Sequence, residues 1–231
     1  MGGDNAKGPG SGDDNILFFI PIGIFLYLCL TMTKDTSKSD RTRQFIVERT
    51  APVFNEKGYV GTTLTDLTRI TGLTKGSIYG NFENKDEVAL AAFDYNFERI
   101  TDYVKVRILA KENSIERLLV YPEVYRDFLT IPLLKAGCPI LNTATEADDT
   151  HPQLRERAAR ALDFWKKALE NQIKRGIARG EIKADTNATE VSVILMSLIE
   201  GAIMQAKASG SPVELRIAMS YLEKLIISLR V

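Results

Sequence analysis

Residues 58–85 constrain the fold more than any other part of the chain, because they place two short helical patterns around a glycine-centred turn. The first pattern has one apolar face of residues spaced three apart, namely Leu64, Leu67 and Ile70. Gly72 follows it and can adopt the left-handed conformation that a tight turn requires, while Thr74 is a suitable N-cap for the next helix. Two helices joined by such a turn indicate a helix-turn-helix, which lays its second helix in a DNA major groove.

The second helical pattern has two chemically different faces. Ile78 and Phe82 are four residues apart and form an inward face. Lys75, Ser77 and Tyr79 fall on the other face and can hydrogen-bond phosphates or base edges. An ordinary helical hairpin within a bundle is the alternative interpretation. Such a hairpin has no need for a Lys-Gly-Ser run on a small exposed helix, so the pattern favours DNA binding.

The same residues resemble the DNA-binding domain of the TetR family of bacterial one-component regulators. The family pattern has a Gly-aromatic pair, a Thr-Thr pair and then (A/T)-G-(V/L)-(S/T)-K-G-(S/T)-(I/L)-Y-x-x-F-x-x-K-(D/E). The chain matches it with Gly58-Tyr59, Thr62-Thr63, TGLTKGSIY over residues 71–79, Phe82 and Lys85-Asp86. Asn81 departs from the pattern, because many members carry His or another aromatic residue at that position.

The resemblance implies an all-α fold with two parts. Residues 39–85 are expected to form a three-helix helix-turn-helix domain, and residues 86–231 a helical bundle for effector binding and dimerisation. It also implies a homodimer that binds a palindromic operator with half-sites about 34–36 Å apart. The implied function is a transcriptional repressor that a small molecule releases from double-stranded DNA, without a cofactor.

The motif also assigns roles to the candidate DNA-binding residues. Lys75 and Ser77 are expected to reach base edges. The residues expected to contact the DNA backbone are Thr62, Thr63, Tyr79 and Lys85, with Arg69 able to contact either. The set is completed by Thr74, Gly76 and Asn81.

The charge distribution agrees with modest electrostatic binding to DNA. The whole chain has a formal net charge of zero. Residues 34–85 nevertheless contain nine Lys and Arg against six Asp and Glu. Affinity would then depend on a few placed cations in each subunit of a dimer. The two cysteines, Cys29 and Cys138, are far apart and indicate no disulfide framework, so a reducing cytoplasm is expected.

The first 31 residues form an extension of unusual composition. Residues 1–15 are rich in Gly, Asp and Asn, and residues 16–32 are almost wholly apolar. One hypothesis is a membrane anchor, since a 17-residue stretch is at the lower limit for spanning a bilayer. The favoured hypothesis is that translation begins at Met32 and that residues 1–31 are not native.

The remaining sequence predicts helices throughout. Pro52 is expected to kink the first helix or to cost it a hydrogen bond, and Asp149 or Thr150 to cap the helix that begins near Pro152. A short helix is expected around Pro139. The other predicted helices cover residues 39–56, 63–70, 74–81, 84–107, 114–128, 152–179, 187–208 and 212–229.

The last two predicted helices are more apolar than a monomer surface allows. In proteins that resemble this chain, the last two helices pair with their copies as a four-helix interface. The predicted interface residues are Val191, Leu195, Leu198, Ala202, Leu222, Leu225 and Ile226. The alternative is that both helices simply pack in the core of the monomer.

Aromatic residues of the C-terminal part are candidates for an effector cavity between helices. They are Tyr121, Tyr125, Phe128, Phe164 and Trp165, and they could equally be ordinary core residues. Cys138 is included either as a reactive thiol or, as the favoured interpretation, as a small buried residue in a bend.

Enzymatic functions have little support in the sequence. The single histidine, His151, has no nucleophile beside it in a recognisable motif, and no phosphate-binding loop or paired-Cys site occurs. A metal cluster of Glu146, Asp148, Asp149 and His151 is conceivable, but a helix N-terminus explains these residues more simply. We therefore expect no metal and no catalysis. The alternatives are a membrane-tethered regulator that uses residues 16–32, and a helical enzyme or scaffold with an accidental signature.

Overall fold

The computed structural model describes residues 37–132 and 134–231, and in these ranges the chain forms nine α-helices and no strand. The 3₁₀ turn Phe128–Thr130 follows the fifth helix. The helices are α1 Lys38–Gly61, α2 Leu64–Thr71, α3 Lys75–Tyr79, α4 Lys85–Leu109, α5 Ser114–Arg126, α6 Pro139–Ala147, α7 Pro152–Ala178, α8 Ala188–Ser209 and α9 Val213–Ser228. The all-α prediction is confirmed. Both hypotheses about residues 1–31 concern a segment that lies outside the described residues.

Local capping explains why most helices begin where the sequence predicts. Thr63 caps α2 in a capping box with Asp66, since each side chain accepts a hydrogen bond from the other residue's backbone N–H. Asn84 accepts a hydrogen bond from the N–H of Glu87 and fixes the first turn of α4. Gly72 ends α2 in the left-handed conformation (φ 69°), as the turn requires.

Two local expectations need comment, and one of them is wrong. Helix α1 keeps helical backbone angles through Pro52, which costs the helix a hydrogen bond without breaking it, and the break lies six residues later, at Gly58 (φ 74°, ψ 178°). The cap of α7 is neither Asp149 nor Thr150. It is His151, whose Nδ1 accepts a hydrogen bond from the N–H of Leu154 (3.3 Å).

Residues 38–231 pack as one compact unit. Helix α1 lies along the N-terminal half of α4, and α2 and α3 close over them around a small apolar core. The core residues include Ile46, Phe54, Leu67, Ile78, Phe82 and Val88. Helix α4 then continues into the larger bundle of α5, α7, α8 and α9, while α6 lies between α1 and α7. This arrangement puts α6 in contact with both parts of the chain.

Among the described helices, α8 is long and apolar enough to cross a membrane by length and composition. Packing accounts for that composition on one face, where Leu195, Ile199 and Ile203 are buried inside the fold. The opposite face is considered below.

Candidate nucleic-acid interface and ligand cavity

Helix α3 presents the surface that the sequence assigns to DNA. Ile78 (0% exposed) and Phe82 (2% exposed) anchor the helix in the small apolar core. Lys75 and Gly76 lie on the exposed side, and Ser77 is partly exposed beside them. The ring of Tyr79 packs partly against the core, so this residue is both a surface and a packing residue. The anchored helix can therefore present Lys75 and Ser77 rigidly.

The exposed caps of α2 and α3 lie beside this surface. Thr63 and Thr74 each accept a backbone hydrogen bond at 3.1 Å, from the N–H groups of Asp66 and Ser77. Arg69 is largely exposed and forms an ion pair with Asp66 at 3.0 Å. Lys57, the Thr63 cap and Arg69 together hold the pKa of the Asp66 carboxyl well below its usual range. Thr63, Arg69 and Thr74 remain positioned for backbone contacts.

The expectation that Thr62 contacts a phosphate is wrong. This residue is fully buried (0% exposed), and its hydroxyl donates to the carbonyl oxygen of Gly58 at 2.6 Å. The adjacent threonines have different roles because Thr62 closes the end of α1, whereas Thr63 begins α2. Their identical chemistry gave no sign of this difference in the sequence.

Lys85, which was expected to contact phosphate, uses its ammonium group inside the domain. Its ammonium group donates to the carbonyl oxygens of Tyr59 (2.8 Å) and Thr62 (2.9 Å) and lies 4.1 Å from the centre of the Tyr59 ring. Lys85 is in the first turn of α4, and through these hydrogen bonds it satisfies carbonyl oxygens at the end of α1. Lys85 therefore positions the helix-turn-helix internally.

Asn81, which was also expected to contact DNA, makes internal hydrogen bonds as well. Its amide donates to the carbonyl oxygen of Ser77 (2.9 Å), and its Oδ1 accepts a hydrogen bond from the hydroxyl of Ser39 (3.1 Å). Arg43 donates to the backbone carbonyl oxygen of Asn81 (2.5 Å) and to Glu87 (2.5 Å). These contacts tie the end of α3 to α1 and α4.

A carboxylate from α6 holds the break in α1. The Glu146 side chain accepts hydrogen bonds from the backbone N–H groups of Tyr59 (2.7 Å) and Val60 (2.9 Å), through its two oxygens. Gly58 is required at the break for two reasons. Its φ of 74° is unfavourable for other residues, and a Cβ there would lie 2.4 Å from Glu146. The sequence pattern indicated Gly58 but gave no sign of its partner 88 positions away.

A second contact joins the same regions around Tyr59. The Tyr59 hydroxyl donates to Asp86, and burial together with this carboxylate raises the pKa of Tyr59 to about 12. The Tyr59 ring also meets the His151 ring edge-on, with centroids 4.6 Å apart. Because Glu146 faces α1 and His151 caps α7, the conceivable metal cluster is not assembled. No group of three potential metal ligands occurs in residues 37–132 and 134–231.

The larger bundle contains a cavity at its centre. It is lined by three of the candidate effector residues, Tyr121, Tyr125 and Trp165, together with Ile140, Leu169, Met196, Ile199 and Glu200. The space between its lining atoms measures about 340 Å³ including the part that opens to solvent, and the room left for a guest is about that of one water molecule. Its walls therefore come from α5, α6, α7 and α8.

Three of the predicted cavity residues lie behind this lining. Phe128 is fully buried and stacks on Tyr125, with ring centroids 5.5 Å apart. Phe164 meets Phe97 of α4 edge-on at 5.6 Å. Cys138 is buried and donates its thiol to Oε1 of Glu200 at 3.2 Å. Burial keeps the pKa of this thiol well above its usual value, so Cys138 is not an activated thiolate.

Glu200 is the charged cavity residue that the sequence analysis missed. Burial raises the pKa of its carboxyl to about 7. Its Oε2 atom is buried and has no hydrogen-bond partner among the described residues. An acidic residue inside the apolar run of residues 198–204 was the available signal.

Most of the predicted interface residues are placed inside the protomer instead. Five of them are less than a tenth exposed and belong to its core, namely Val191, Leu195, Ala202, Leu222 and Ile226. The prediction is wrong for these five, while Leu198 and Leu225 are partly exposed. Both helices do have exposed apolar side chains on the other side, including Ile194 (37%), Ile217 (66%) and Tyr221 (59%).

These features together define a class of protein. An anchored, outward-facing α3 follows a glycine turn, and α4 connects it to a helical bundle with an internal cavity and an apolar outer face. This is the architecture of a helix-turn-helix transcriptional regulator with an effector domain.

Comparison with known families identifies the particular one. Residues 46–92 match the model of bacterial regulatory proteins of the tetR family, and residues 114–222 match the tetracyclin repressor-like C-terminal domain. The chain belongs to the TetR family. It is a DNA-binding transcriptional regulator with a tetracyclin repressor-like C-terminal domain.

Solved structures and curated relatives support this assignment. A TetR-family regulator from Cytophaga hutchinsonii is 48% identical, with a TM-score of 0.81 over 86% of this chain and 99% of that one. A TetR regulator from Chloroflexus aurantiacus J-10-FL is 37% identical, with a TM-score of 0.79 over 84% and 98%. The HTH-type transcriptional repressor ComR of Escherichia coli K12 is 25% identical over 174 residues, which cover 73% of this chain and 81% of ComR.

Proposed function

We propose that this regulator represses transcription by binding a palindromic operator as a homodimer, and that a small molecule in the α5–α8 cavity releases it. We further propose that it acts in the cytoplasm without an enzymatic activity, with residues 39–85 as the DNA-binding domain and residues 86–231 as the effector domain. The exposed side of α3, held against a rigid core by Ile78 and Phe82, is the observation that carries the proposal.

The proposed DNA contacts follow from exposure. Lys75 and Ser77 reach base edges from the first turn of α3. Gly76 lies between them and has no side chain, so the backbone of α3 can approach the DNA closely there. The helix caps and flanking residues contact the DNA backbone, and these are Thr63, Arg69, Thr74 and Tyr79. Thr62, Asn81 and Lys85 hold the domain in shape.

The proposed dimer face is the exposed apolar side of α8 and α9. Its residues are Ile194, Leu198, Ile217, Tyr221 and Leu225. Side chains of this size are costly to leave in water, and a second copy of the same face would bury them. A two-fold dimer also presents two α3 helices, one to each half of a palindromic operator.

The proposed release mechanism depends on α6. Ile140 of this helix lines the cavity, and Glu146 on the same helix holds the backbone of Tyr59 and Val60. A nine-residue helix moves as a unit, so displacement of Ile140 by a ligand is transmitted to the end of α1. The ligand then favours a dimer whose α3 helices no longer match the half-sites.

Substitutions on α3 test the proposed DNA contacts. Operator DNA selected from random sequences is titrated by fluorescence anisotropy, beside scrambled DNA, at several salt concentrations. Ser77→Ala should weaken operator binding by about 1–3 kcal/mol and leave scrambled DNA nearly unaffected, because it removes a base contact. Lys75→Ala should weaken operator binding too, whereas Lys167→Ala on the exposed side of α7 is the matched control and should have no effect. Unchanged operator binding by both α3 variants, with the fold intact, would overturn the proposal.

A further inference from the structure

The cavity contains a buried acid that the fold itself does not satisfy. Glu200 extends from α8 into the cavity, and its Oε1 accepts the thiol of Cys138 at 3.2 Å. Its Oε2 is buried without a hydrogen-bond partner among the described residues. A buried carboxyl without a partner is costly in either protonation state, because Oε2 lacks a donor when ionised and its proton lacks an acceptor when neutral. A ligand that completes this group would remove that cost.

No cation of the described chain neutralises Glu200. The cation further along the same helix is Lys207, about two turns away, and its ammonium group is engaged elsewhere. It donates to the carbonyl oxygen of Ala136 (2.7 Å) and to Oδ1 of Asn142 (3.0 Å). Burial, opposed by the Cys138 hydrogen bond, determines the ionisation of Glu200, and no ion pair contributes to it. A positive partner for this carboxylate therefore has to come from outside the described residues.

The other walls of the cavity suit an organic cation. Tyr121, Tyr125 and Trp165 bring three aromatic rings to the cavity, and Tyr121 and Trp165 meet edge-on with centroids 5.7 Å apart. Aromatic faces attract cations through their negative quadrupole, and more strongly when water is excluded. The remaining lining residues are apolar and suit a compact hydrocarbon body: Ile140, Leu169, Met196 and Ile199.

We propose that the effector is a protonated amine with a compact apolar body, whose ammonium N–H donates to Oε2 of Glu200 among the rings of Tyr121, Tyr125 and Trp165. The inference rests on the proposed function in treating this cavity as the effector site. An anionic effector would be repelled by Glu200, and a neutral alcohol would bind without an ionic partner. Placement beside Ile140 of α6 lets the same ligand act on the Glu146 contact.

Among the groups around the cavity, Glu200 is the one whose charge should make amine binding depend on pH near neutrality. Burial raises the pKa of Cys138, Tyr121 and Tyr125, so all three stay protonated through neutral pH. Lys207 is on the same helix as Glu200 and is the charged group near Cys138. Its amine donates to the carbonyl oxygen of Ala136 and to Oδ1 of Asn142. Glu200 therefore changes charge near pH 7, and affinity for an amine should rise about tenfold between pH 6 and pH 8.

The test measures amine binding directly with the full chain. Benzylammonium, 2-phenylethylammonium and cyclohexylmethylammonium are titrated beside the matching alcohols by calorimetry and by tryptophan fluorescence. Trp165 is the single tryptophan, so its emission reports on the cavity. At least one amine should bind tenfold or more tightly than its alcohol. Glu200→Gln should remove most of that difference and leave the alcohol within about twofold.

The control variant is Glu190→Gln, which removes a charge from an exposed position of the same helix and should change nothing. The pH profile of the unmodified protein provides a second measurement that does not require Glu200→Gln to fold. Amines that bind no better than alcohols, or with an affinity independent of pH, would overturn the inference. Operator binding is measured in parallel with the ligand-free protein. If it is intact while amines fail, the ligand class is wrong and the DNA-binding function stands, whereas a ligand-free protein that does not bind operator counts against the proposed function.

Discussion

The unsatisfied state of Glu200 should make the stability of the whole protein depend on pH. The pKa of its carboxyl is raised from an ordinary 4.5 to about 7 in the folded chain. Between these values the folded state binds more protons than the unfolded state, so the free energy of unfolding falls as pH rises. The contribution of this carboxyl to the free energy of unfolding is fully present below pH 4.5 and is lost as pH rises through 7.

The magnitude follows from the size of the shift. At about 1.4 kcal/mol for each pH unit, a shift from 4.5 to about 7 corresponds to an upper bound of about 3.5 kcal/mol. Glu200→Gln removes this group and keeps its shape. The variant should therefore gain stability relative to the unmodified protein as pH rises from 4.5 to 8, by about 1–3 kcal/mol. The amide oxygen of Gln can still accept the Cys138 thiol, and any change in the strength of that contact adds an offset that does not vary with pH over this range.

Urea unfolding followed by circular dichroism, at equal protein concentrations and several pH values, measures this difference. Every other titrating group contributes equally to both proteins and cancels in the comparison. Glu190→Gln serves as the control and should show a difference that is flat with pH. A flat difference for Glu200→Gln as well, or one of opposite sign, would refute the argument that burial determines the ionisation of this carboxyl.

Three further predictions concern the helix-turn-helix and the dimer. Lys85→Met loses two hydrogen bonds to carbonyl oxygens, so thermal unfolding should show a free energy of unfolding lower by about 1–3 kcal/mol. The salt slope of DNA binding should not change, and a slope reduced by one unit would show that Lys85 contacts phosphate after all. Gly58→Ala should be strongly destabilising. Its cost should be smaller in a Glu146→Ala background, because that change removes the atoms 2.4 Å from the new Cβ. Free energies of unfolding that simply add in the double variant would contradict this. Ile217→Glu should yield monomers in sedimentation, whereas Val106→Glu, equally exposed on α4, should remain dimeric.

Local features of the sequence predicted the helices well. Asn84 and Thr63 act as caps within three or four residues of the groups they satisfy, so the starts of α4 and α2 could be recognised without tertiary information. The inward face of α3 follows in the same way from the spacing of Ile78 and Phe82. These contacts are short-range, and a single sequence is sufficient to identify them.

The contacts that determine residue roles are long-range, and the sequence could not supply them. Lys85 was expected to contact phosphate because the family motif assigns it that role, but its acceptors within the domain, the carbonyl oxygens of Tyr59 and Thr62, are more than 20 positions away. Periodicity showed that α8 and α9 are apolar, yet it could not decide which side faces the core. Leu195 proved to be buried while Ile217 is exposed.

The positions of Glu146 and Glu200 suggest how the two parts of the chain are coupled. Glu146 satisfies two backbone N–H groups at the end of α1, so its contact is complete in the structure. Glu200 has an oxygen without a partner, so its site is incomplete. Helix α6 lies between them and contributes to both surroundings, through Glu146 itself and through Ile140 in the cavity wall. A cation that completes Glu200 has to displace α6 or reshape the wall around it. The free energy gained at Glu200 is then available to weaken the Glu146 contact, and by linkage operator DNA must weaken amine binding by the same factor.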